Sequence, residues 1–223
     1  VCANGADRFA VRAVGARFYV SSVLNNNTIR IIHYEPGVHA RFATIATPKS
    51  DLTSVQAIDM CAITRPSAQR VVIAWSETTT VRVKVYNAAG TLGTSFTFTA
   101  AASVIHLAVE ADETDDTINV YTVETPTTGV LRTFQLSTGT LLDGPTATTV
   151  GATGSIGRLF AQGSIGESIA VGVNNSTDDT VVRVFDIDSH AVVDTITVKN
   201  VALRSRIGNA HIASALQSAR ASP

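Results

Sequence analysis

The fold can be predicted from one short run of residues, Thr80-Val81-Arg82-Val83-Lys84-Val85-Tyr86-Asn87-Ala88-Ala89-Gly90. Valine occupies alternate positions from Val81 to Val85, which is the side-chain period of a β-strand with one buried face. An aromatic residue ends the run, and Asn87 to Gly90 then supply residues that favour a tight turn. The stretch therefore predicts a β-strand that is followed by a hairpin return.

The same plan occurs four times along the 223-residue chain. Each copy has alternating β-branched residues, a terminal aromatic residue and a polar turn that contains Gly or Asp. The terminal aromatics are Tyr34, Tyr86, Phe134 and Phe185, and successive ones are separated by 52, 48 and 51 residues. An arginine precedes each of them by two to four positions: Arg30, Arg82, Arg132 and Arg183. A repeat of about fifty residues indicates a modular architecture.

Each unit also contains three further strand-like segments. The predicted first strands are Phe9 to Val14, Val55 to Ile63, Val104 to Ala111 and Ile156 to Gln162; the second strands are Arg17 to Val23, Arg70 to Ser76, Thr117 to Glu124 and Ser168 to Val173; the fourth strands are Arg41 to Thr47, Ser95 to Thr99, Thr146 to Val150 and Asp194 to Val198. The units therefore cover residues 9–47, 55–99, 104–150 and 156–198.

Four antiparallel strands per repeat of this length is the plan of a β-propeller blade. The sequence resembles the propeller repeats, quinoprotein-like and YVTN-type, whose third strand ends in an aromatic residue before an Asp- or Thr-Gly turn. The resemblance implies an all-β propeller over Phe9 to Val198, in which blades cover one another's apolar faces. A pair of β-sandwiches is the alternative, and it is less favoured because its repeat would return about every hundred residues.

The number of blades in the complete molecule is left open by the sequence. Residues 201–223 contain either the innermost strand of a further blade, at Arg206 to Ala213, or a short closing helix, at Ala210 to Arg220. Because no Met begins the chain and the last blade is unfinished, we favour a portion of a longer propeller. Its open edge would need another segment or subunit. A closed ring of four blades is the competing expectation.

Composition and charge exclude several classes of protein. The chain has 27 Val and 29 Thr against 11 Leu and 3 Lys, a balance that favours strands over helices. With 17 Lys plus Arg against 18 Asp plus Glu, the net charge of −1 speaks against a nucleic-acid binder. No run of eighteen apolar residues predicts a membrane span. Cys61 is expected to be a small buried thiol, and a bridge between Cys2 and Cys61 is left open.

The predicted innermost strands carry the polar residues that are the first candidates for a site. They are Arg12, Asp59, His106, Glu110, Arg158 and Gln162. In one interpretation Asp59, His106 and Glu110 converge and hold a divalent cation or perform acid–base chemistry. In the other, which we favour, opposite charges pair between blades and the remaining side chains are solvated in a channel.

The other polar motifs favour structural roles. The acidic run from Asp112 to Asp116 and the loop from Asn174 to Asp179 are predicted as solvated turns rather than calcium loops. The five histidines show no metal-ligand spacing, and the stretch from Gly151 to Gly157 lacks the lysine of a phosphate loop. Trp75 is expected to fill space between blades, and the repeated arginines are expected to stack or pair there.

The sequence favours a non-enzymatic structural or interaction module that binds protein subunits of a larger assembly. No catalytic residue, cofactor or metal ligand is assigned. The composition is similar to that of virion or extracellular β proteins, including propeller domains in the tails of short-tailed phages, so a virion or extracellular location is favoured. The alternatives are a secreted or periplasmic hydrolase or lactonase with a channel metal at Asp59, His106 and Glu110, and a propeller that binds ligands or glycans.

Overall fold

A computed structural model describes residues 9–14, 17–24, 27–35, 41–63, 69–104, 106–125, 128–149, 160–162, 168–174, 180–186 and 189–198. The predictions for Cys2, His39, Arg158, His211, residues 151–157, 175–179 and 201–223 lie outside these residues. The strands are β1 Phe9–Val14, β2 Arg17–Val23, β3 Ile29–Glu35, β4 Arg41–Lys49, β5 Ala57–Ile63, β6 Arg70–Glu77, β7 Thr80–Asn87, β8 Leu92–Thr99, β9 His106–Asp112, β10 Thr117–Thr125, β11 Thr128–Gln135, β12 Leu141–Thr149, β13 Phe160–Gln162, β14 Ser168–Asn174, β15 Thr180–Asp186 and β16 Val192–Val198.

These strands form four antiparallel sheets, each with its strands in chain order. Sheet I contains β1–β4, sheet II β5–β8, sheet III β9–β12 and sheet IV β13–β16. The fourth strands of sheets II and III are longer than predicted, because β8 begins at Leu92 and β12 at Leu141. Gly93 and Pro145 discourage a strand assignment, yet both lie on strands at a sheet edge, where a lost ladder hydrogen bond costs little.

Both faces of sheet II are buried, because the side chains of β6 point alternately to its two faces. Val71, Ile73 and Trp75 belong to an apolar cluster shared with sheet I, whereas Val72 and Ala74 belong to a second cluster shared with sheet III. Because successive side chains of a strand point to opposite faces, one strand contributes to both cores. Removing this apolar surface from water is the main force that holds the sheets together.

The innermost strands lie in the order of the chain. Strand β5 contacts β1 on one side and β9 on the other, and β9 also contacts β13. The first and the last of these strands, β1 and β13, have no contact of comparable extent among the residues that the structure describes. The four sheets therefore follow one another around a common line of inner strands.

The turn between the third and fourth strands packs against the preceding sheet. Gly90 has a φ of 83°, and a methyl group at its α-carbon would collide with the backbone carbonyl of Ile45 in sheet I. Gly139 has a φ of 76°, and its methyl would collide with the ring of Phe96 in sheet II. Only glycine combines this backbone region with so close an approach at low cost. In sheets II and III the polar turns that follow the aromatics are thus also contacts between sheets.

In sheet IV the corresponding position is occupied by His190. Its φ is 55°, and its amide donates to the carbonyl of Asp186 as that of Gly139 does to Gln135. The imidazole is buried between two hydroxyls of sheet III, with Nε2 2.6 Å from Thr133 Oγ1 and Nδ1 3.2 Å from Thr146 Oγ1. Burial lowers the pKa of His190. In sheet IV the His190 side chain therefore makes the contact with the preceding sheet that the backbone at Gly90 and Gly139 makes in sheets II and III.

Candidate functional site

Three inner strands are joined by a polar contact centred on Asp59. The Arg12 guanidinium of β1 donates to Asp59 Oδ1 over 3.1 Å, and the Val109 amide of β9 donates to Asp59 Oδ2, also over 3.1 Å. The Asp59 carboxylate is largely buried, so both of its oxygens need such partners. The pairing of opposite charges between units that the sequence predicts is confirmed for Arg12 and Asp59.

Glu110 and Cys61 lie beside this contact and both titrate abnormally. Burial raises the pKa of Glu110 to about 8, with Arg12 opposing the shift and Asp59 adding to it. Burial also raises the pKa of the free Cys61 thiol well above its ordinary value. At neutral pH Glu110 is therefore mostly uncharged and Cys61 is a protonated thiol, an unreactive state. The Arg12 guanidinium, whose pKa is raised chiefly by Asp59, keeps its charge.

The channel metal that the sequence offered as an alternative is not supported by this geometry. Among the residues that the structure describes, which include Asp59, His106 and Glu110, no group of three His, Cys, Asp or Glu side chains is arranged to hold a metal ion. The physical reason lies at Asp59, because its carboxylate is already engaged by a guanidinium and a backbone amide. The cluster ties sheets I, II and III together instead.

The acidic run between β9 and β10 forms hydrogen bonds within the fold. Asp112 Oδ1 accepts from the Thr114 amide, and Asp116 accepts from the amide and the hydroxyl of Ser137. Glu113 approaches Arg70 of sheet II, with 3.6 Å between Oε1 and Nη2. The run is a turn, as predicted, but its carboxylates fasten the end of sheet III rather than remaining wholly in solvent.

The repeated arginines occupy two register positions rather than one. Arg82 pairs with Glu77 of its own sheet, with 3.0 Å between Nε and Oε2. Arg132 pairs with Glu124, also of its own sheet, at 2.6 Å, and its guanidinium lies 4.9 Å from the ring centre of Phe98 in sheet II. Stacking between units is therefore found for Arg132, whereas these ion pairs lie within one sheet. The arrangement is structural and does not form a basic ring.

Trp75 fills space between sheets I and II, as the sequence predicts. The ring is fully buried and Nε1 donates to Glu77 Oε1 over 2.9 Å. The Lys84 ammonium lies 5.8 Å from the ring centre and donates to the carbonyl of Pro48 in sheet I. The indole thus takes part in a satisfied network and is not presented to a ligand.

A pocket of about 420 Å³ lies where an end of sheet II meets the β11–β12 turn of sheet III. Its lining combines a guanidinium, an amide and three hydroxyls with an apolar floor: Arg70, Val85, Asn87, Thr91, Leu92, Gly93, Thr94 and Ser137. Pockets of this volume that place a few polar groups beside apolar surface are typical of small-molecule sites.

Hydrogen bonds fix the polar groups of this pocket. Thr94 Oγ1 donates to the Leu136 carbonyl over 2.8 Å, which joins the two sheets across the pocket. Asn87 Oδ1 accepts from the amides of Ala89 and Thr91, and Ser137 Oγ donates to Asp116. Each hydroxyl oxygen retains lone pairs that can accept from a ligand. The site is therefore held in place before any ligand arrives.

Arg70 is the charged residue that lines the pocket, and its ion pair with Glu113 leaves some of its hydrogen-bond donors unused. The Arg70–Glu113 separation of 3.6 Å exceeds a hydrogen-bond distance, and Glu113 Oε2 is buried with no hydrogen-bond partner. Arg70 was not among the candidate site residues predicted from the sequence. Its position could have drawn attention to it, since Arg17 and Arg70 each begin the second strand of their unit.

Comparison with known proteins identifies the architecture. No family model matches the chain, and no curated protein matches it. Among solved structures, the SapL1 lectin in complex with alpha methyl fucoside matches 86% of this chain at 15% identity, with a TM-score of 0.56, and the match spans 63% of the lectin. The Aleuria aurantia lectin matches 90% of this chain at 15% identity, with a TM-score of 0.54 over 62% of its own length. A GH43 protein of Bacteroides ovatus matches 86% at 10% identity, with a TM-score of 0.54 over 40% of its length.

The chain has a β-propeller fold. The four-stranded antiparallel sheets and these structural neighbours together confirm the fold class that the sequence predicts. No family match supports the narrower quinoprotein-like, YVTN-type or phage-tail resemblance. The propeller spans less than two thirds of the length of these lectins. In the part of the chain that the structure describes, no helix is long and apolar enough to cross a membrane.

Proposed function

We propose that this chain is a carbohydrate-binding propeller module and that the pocket beside Arg70 is its binding site. The observation that carries the proposal is the composition of that pocket: a half-exposed guanidinium and three hydroxyls beside Val85 and Leu92. A sugar presents hydroxyl groups around an apolar ring, so it is recognised by polar groups set beside apolar surface. Arginine suits this task because its planar fork donates two parallel hydrogen bonds.

The loose Arg70–Glu113 pair supports hydrogen bonding from Arg70 to a ligand hydroxyl. The guanidinium donates hydrogen bonds and the carboxylate accepts them, and neither is saturated by the other at 3.6 Å. A sugar hydroxyl that accepts from Arg70 would use the donors that Glu113, which is not part of the pocket lining, leaves free. Hydrogen bonds to charged groups are each stronger than neutral ones, by roughly a factor of two.

The structural neighbours support the same class of ligand. Two of them are lectins in complex with methyl fucosides. A third, AofleA from Arthrobotrys oligospora, has 14% identity and a TM-score of 0.55 over 86% of this chain, and its structure is of a variant with three arginines, 53 residues apart, replaced by alanine. Arg17 and Arg70 in this chain are also 53 residues apart. Identity at this level supports a shared fold and leaves the ligand as our proposal.

Calorimetric titration with methyl-α-L-fucoside and xylotriose, after a glycan array, tests the proposal. We expect a saccharide to bind, and we expect Arg70→Ala to weaken that binding tenfold or more, a loss of about 1.4 kcal/mol or more. The matched control is Arg82→Ala, which removes a guanidinium of similar exposure from the opposite end of sheet II. Absence of binding to any array glycan, or equal binding by Arg70→Ala and the unaltered chain, would contradict the proposal.

The other functions considered from the sequence have less support. A role in a larger assembly, including a phage tail, stays a prediction that rests on composition. The hydrolase alternative relied on a metal at Asp59, His106 and Glu110, and those side chains do not provide it. The pocket therefore favours binding over catalysis.

A further inference from the structure

One face of sheet I is apolar and lacks the cover that its counterparts have. This face, which we call the first face, contains Val11, Phe18, Val20, Ile32 and Tyr34. The register pairs Val11 with Val20 and Val20 with Ile32, and it pairs Phe18 with Tyr34, so these residues share one side of the sheet. The opposite side of sheet I packs on sheet II. The first face therefore points away from the rest of the described chain.

The equivalent faces of sheets II and III show how such a face is buried when another sheet covers it. Phe18 pairs with the terminal aromatic of its sheet, as Val71 and Ile118 do in sheets II and III. Phe18 is 44% exposed, whereas Val71 and Ile118 are 1% and 0% exposed. Val11 is 39% exposed, and its counterparts Met60 and Val109 are fully buried. Equivalent apolar positions are covered in two sheets and open in the first.

The covering element is known for the other sheets. The ring of Phe134 lies 4.7 Å from that of Phe96, on the fourth strand of the preceding sheet, and Phe185 lies 5.8 Å from Tyr121 of sheet III. Each terminal aromatic therefore rests on the sheet that precedes it. Tyr34 has the same place in its sheet, so the surface complementary to the first face is the rear face of another such sheet.

No described sheet lies against the rear face of sheet IV, which turns away from sheet III. Val184 immediately precedes the terminal aromatic, as Val85 and Thr133 do in sheets II and III, and it is only half-buried where they are buried. Asp194 pairs with Val184 and is exposed on the same side, and Arg30 is exposed on the first face. The first face therefore exposes a positive charge, and the rear face of sheet IV exposes a negative one. Among the residues that the structure describes, β1 and β13 have no extensive contact.

We propose that a second copy of this chain covers the first face with the rear face of its sheet IV. Two copies placed head to tail about one axis would cover both open faces of each, and such a rotation closes the assembly as a dimer. The assembly would contain eight sheets, within the range of about four to eight blades in propellers. The interface would repeat the three contacts between sheets that each copy already contains.

The molar mass in solution tests this proposal, measured by sedimentation equilibrium on the full chain at micromolar concentrations. We expect twice the monomer mass for the unaltered chain. Phe18→Glu should raise the dimer dissociation constant at least tenfold, because it buries a charge in an apolar contact. The milder Phe18→Ser should act in the same direction. The control is Leu52→Glu, since Leu52 is 77% exposed and lies outside the first face.

Circular dichroism of each variant shows whether its strands are retained, and only folded variants are compared. A monomer at all concentrations for the unaltered chain would overturn the proposal. So would a dimer that Phe18→Glu and Phe18→Ser leave as stable as Leu52→Glu does. Because this measurement uses no sugar, its outcome is independent of the carbohydrate proposal.

Discussion

At the scale of single residues, Glu110 carries the clearest electrostatic signature in the described chain. Burial raises its pKa to about 8, although the Arg12 guanidinium is close enough to oppose the shift. The folded state therefore binds a proton that the unfolded chain, with an ordinary pKa of 4.5, has released. Folding stability then falls as the pH rises between these two values, by up to about 1.4 kcal/mol per pH unit.

Replacing the Glu110 carboxyl group should remove this dependence of folding stability on pH. We expect Glu110→Gln to differ little from the unaltered chain near pH 5 and to exceed it in stability at pH 9, by roughly 3–5 kcal/mol. Urea unfolding at pH 5, 7 and 9 measures this. The Cys61 thiol does not interfere, because its pKa is raised well above its ordinary value. Equal stability of the two proteins at pH 9 would show that Glu110 ionises normally.

Asp59 shows how far residue-level prediction extends. Its pairing with Arg12 follows from opposite charges on neighbouring inner strands, and the sequence predicts it. Its acceptance of the Val109 amide does not follow, because that bond depends on the spacing between β5 and β9. The same limit applies to the alternative interpretation of a metal at Asp59, His106 and Glu110. It is not supported, because the Asp59 carboxylate is already engaged by Arg12 and by the Val109 amide.

At the scale of the elements, the turns between third and fourth strands connect sheet to sheet. The sequence predicts these turns from Gly, Asn and Asp, and the structure adds that their backbone touches the preceding sheet. His190 could not be anticipated, because a positive φ at a residue other than glycine is uncommon. Its burial between Thr133 and Thr146 offsets that strain.

Gly90 and Gly93 provide a matched pair for testing this contact. We expect Gly90→Ala to lower the free energy of unfolding by about 2 kcal/mol or more, because its φ is positive and its methyl meets the Ile45 carbonyl. Gly93→Ala should be neutral or slightly stabilising, since the nearest atom would be 3.6 Å away. Urea denaturation of both variants decides the matter, and similar losses for the two would contradict the assigned turn packing.

The strands themselves were the most predictable elements. Alternating valines located β7 closely, and β2 spans the predicted residues Arg17–Val23. The beginnings of β8 and β12 were missed because Gly93 and Pro145 interrupt that pattern. These edge strands pair on one side only, so their sequences are less constrained.

At the scale of the whole molecule, the repeat of about fifty residues was enough to predict stacked four-stranded sheets. The pocket beside Arg70 was not predictable, because its walls come from β6, β7, β8 and the β11–β12 turn of the next sheet. Such a site exists only after the sheets are placed relative to one another. The sequence predicted that the propeller would have an open edge. The structure was needed to identify Val11 and Phe18 as exposed residues of the first face.

A propeller built from this chain requires that each sheet cover the next in chain order. Aromatic nuclear Overhauser measurements on the folded chain test this directly. We predict cross-peaks from the ring of Phe134 to those of Phe96 and Phe98, whose centres lie 4.7 and 5.1 Å away, and from Phe185 to Tyr121 at 5.8 Å. If Phe134 and Phe185 instead show cross-peaks only to residues of their own sheets, the sheets are not stacked in this order and the propeller assignment is wrong.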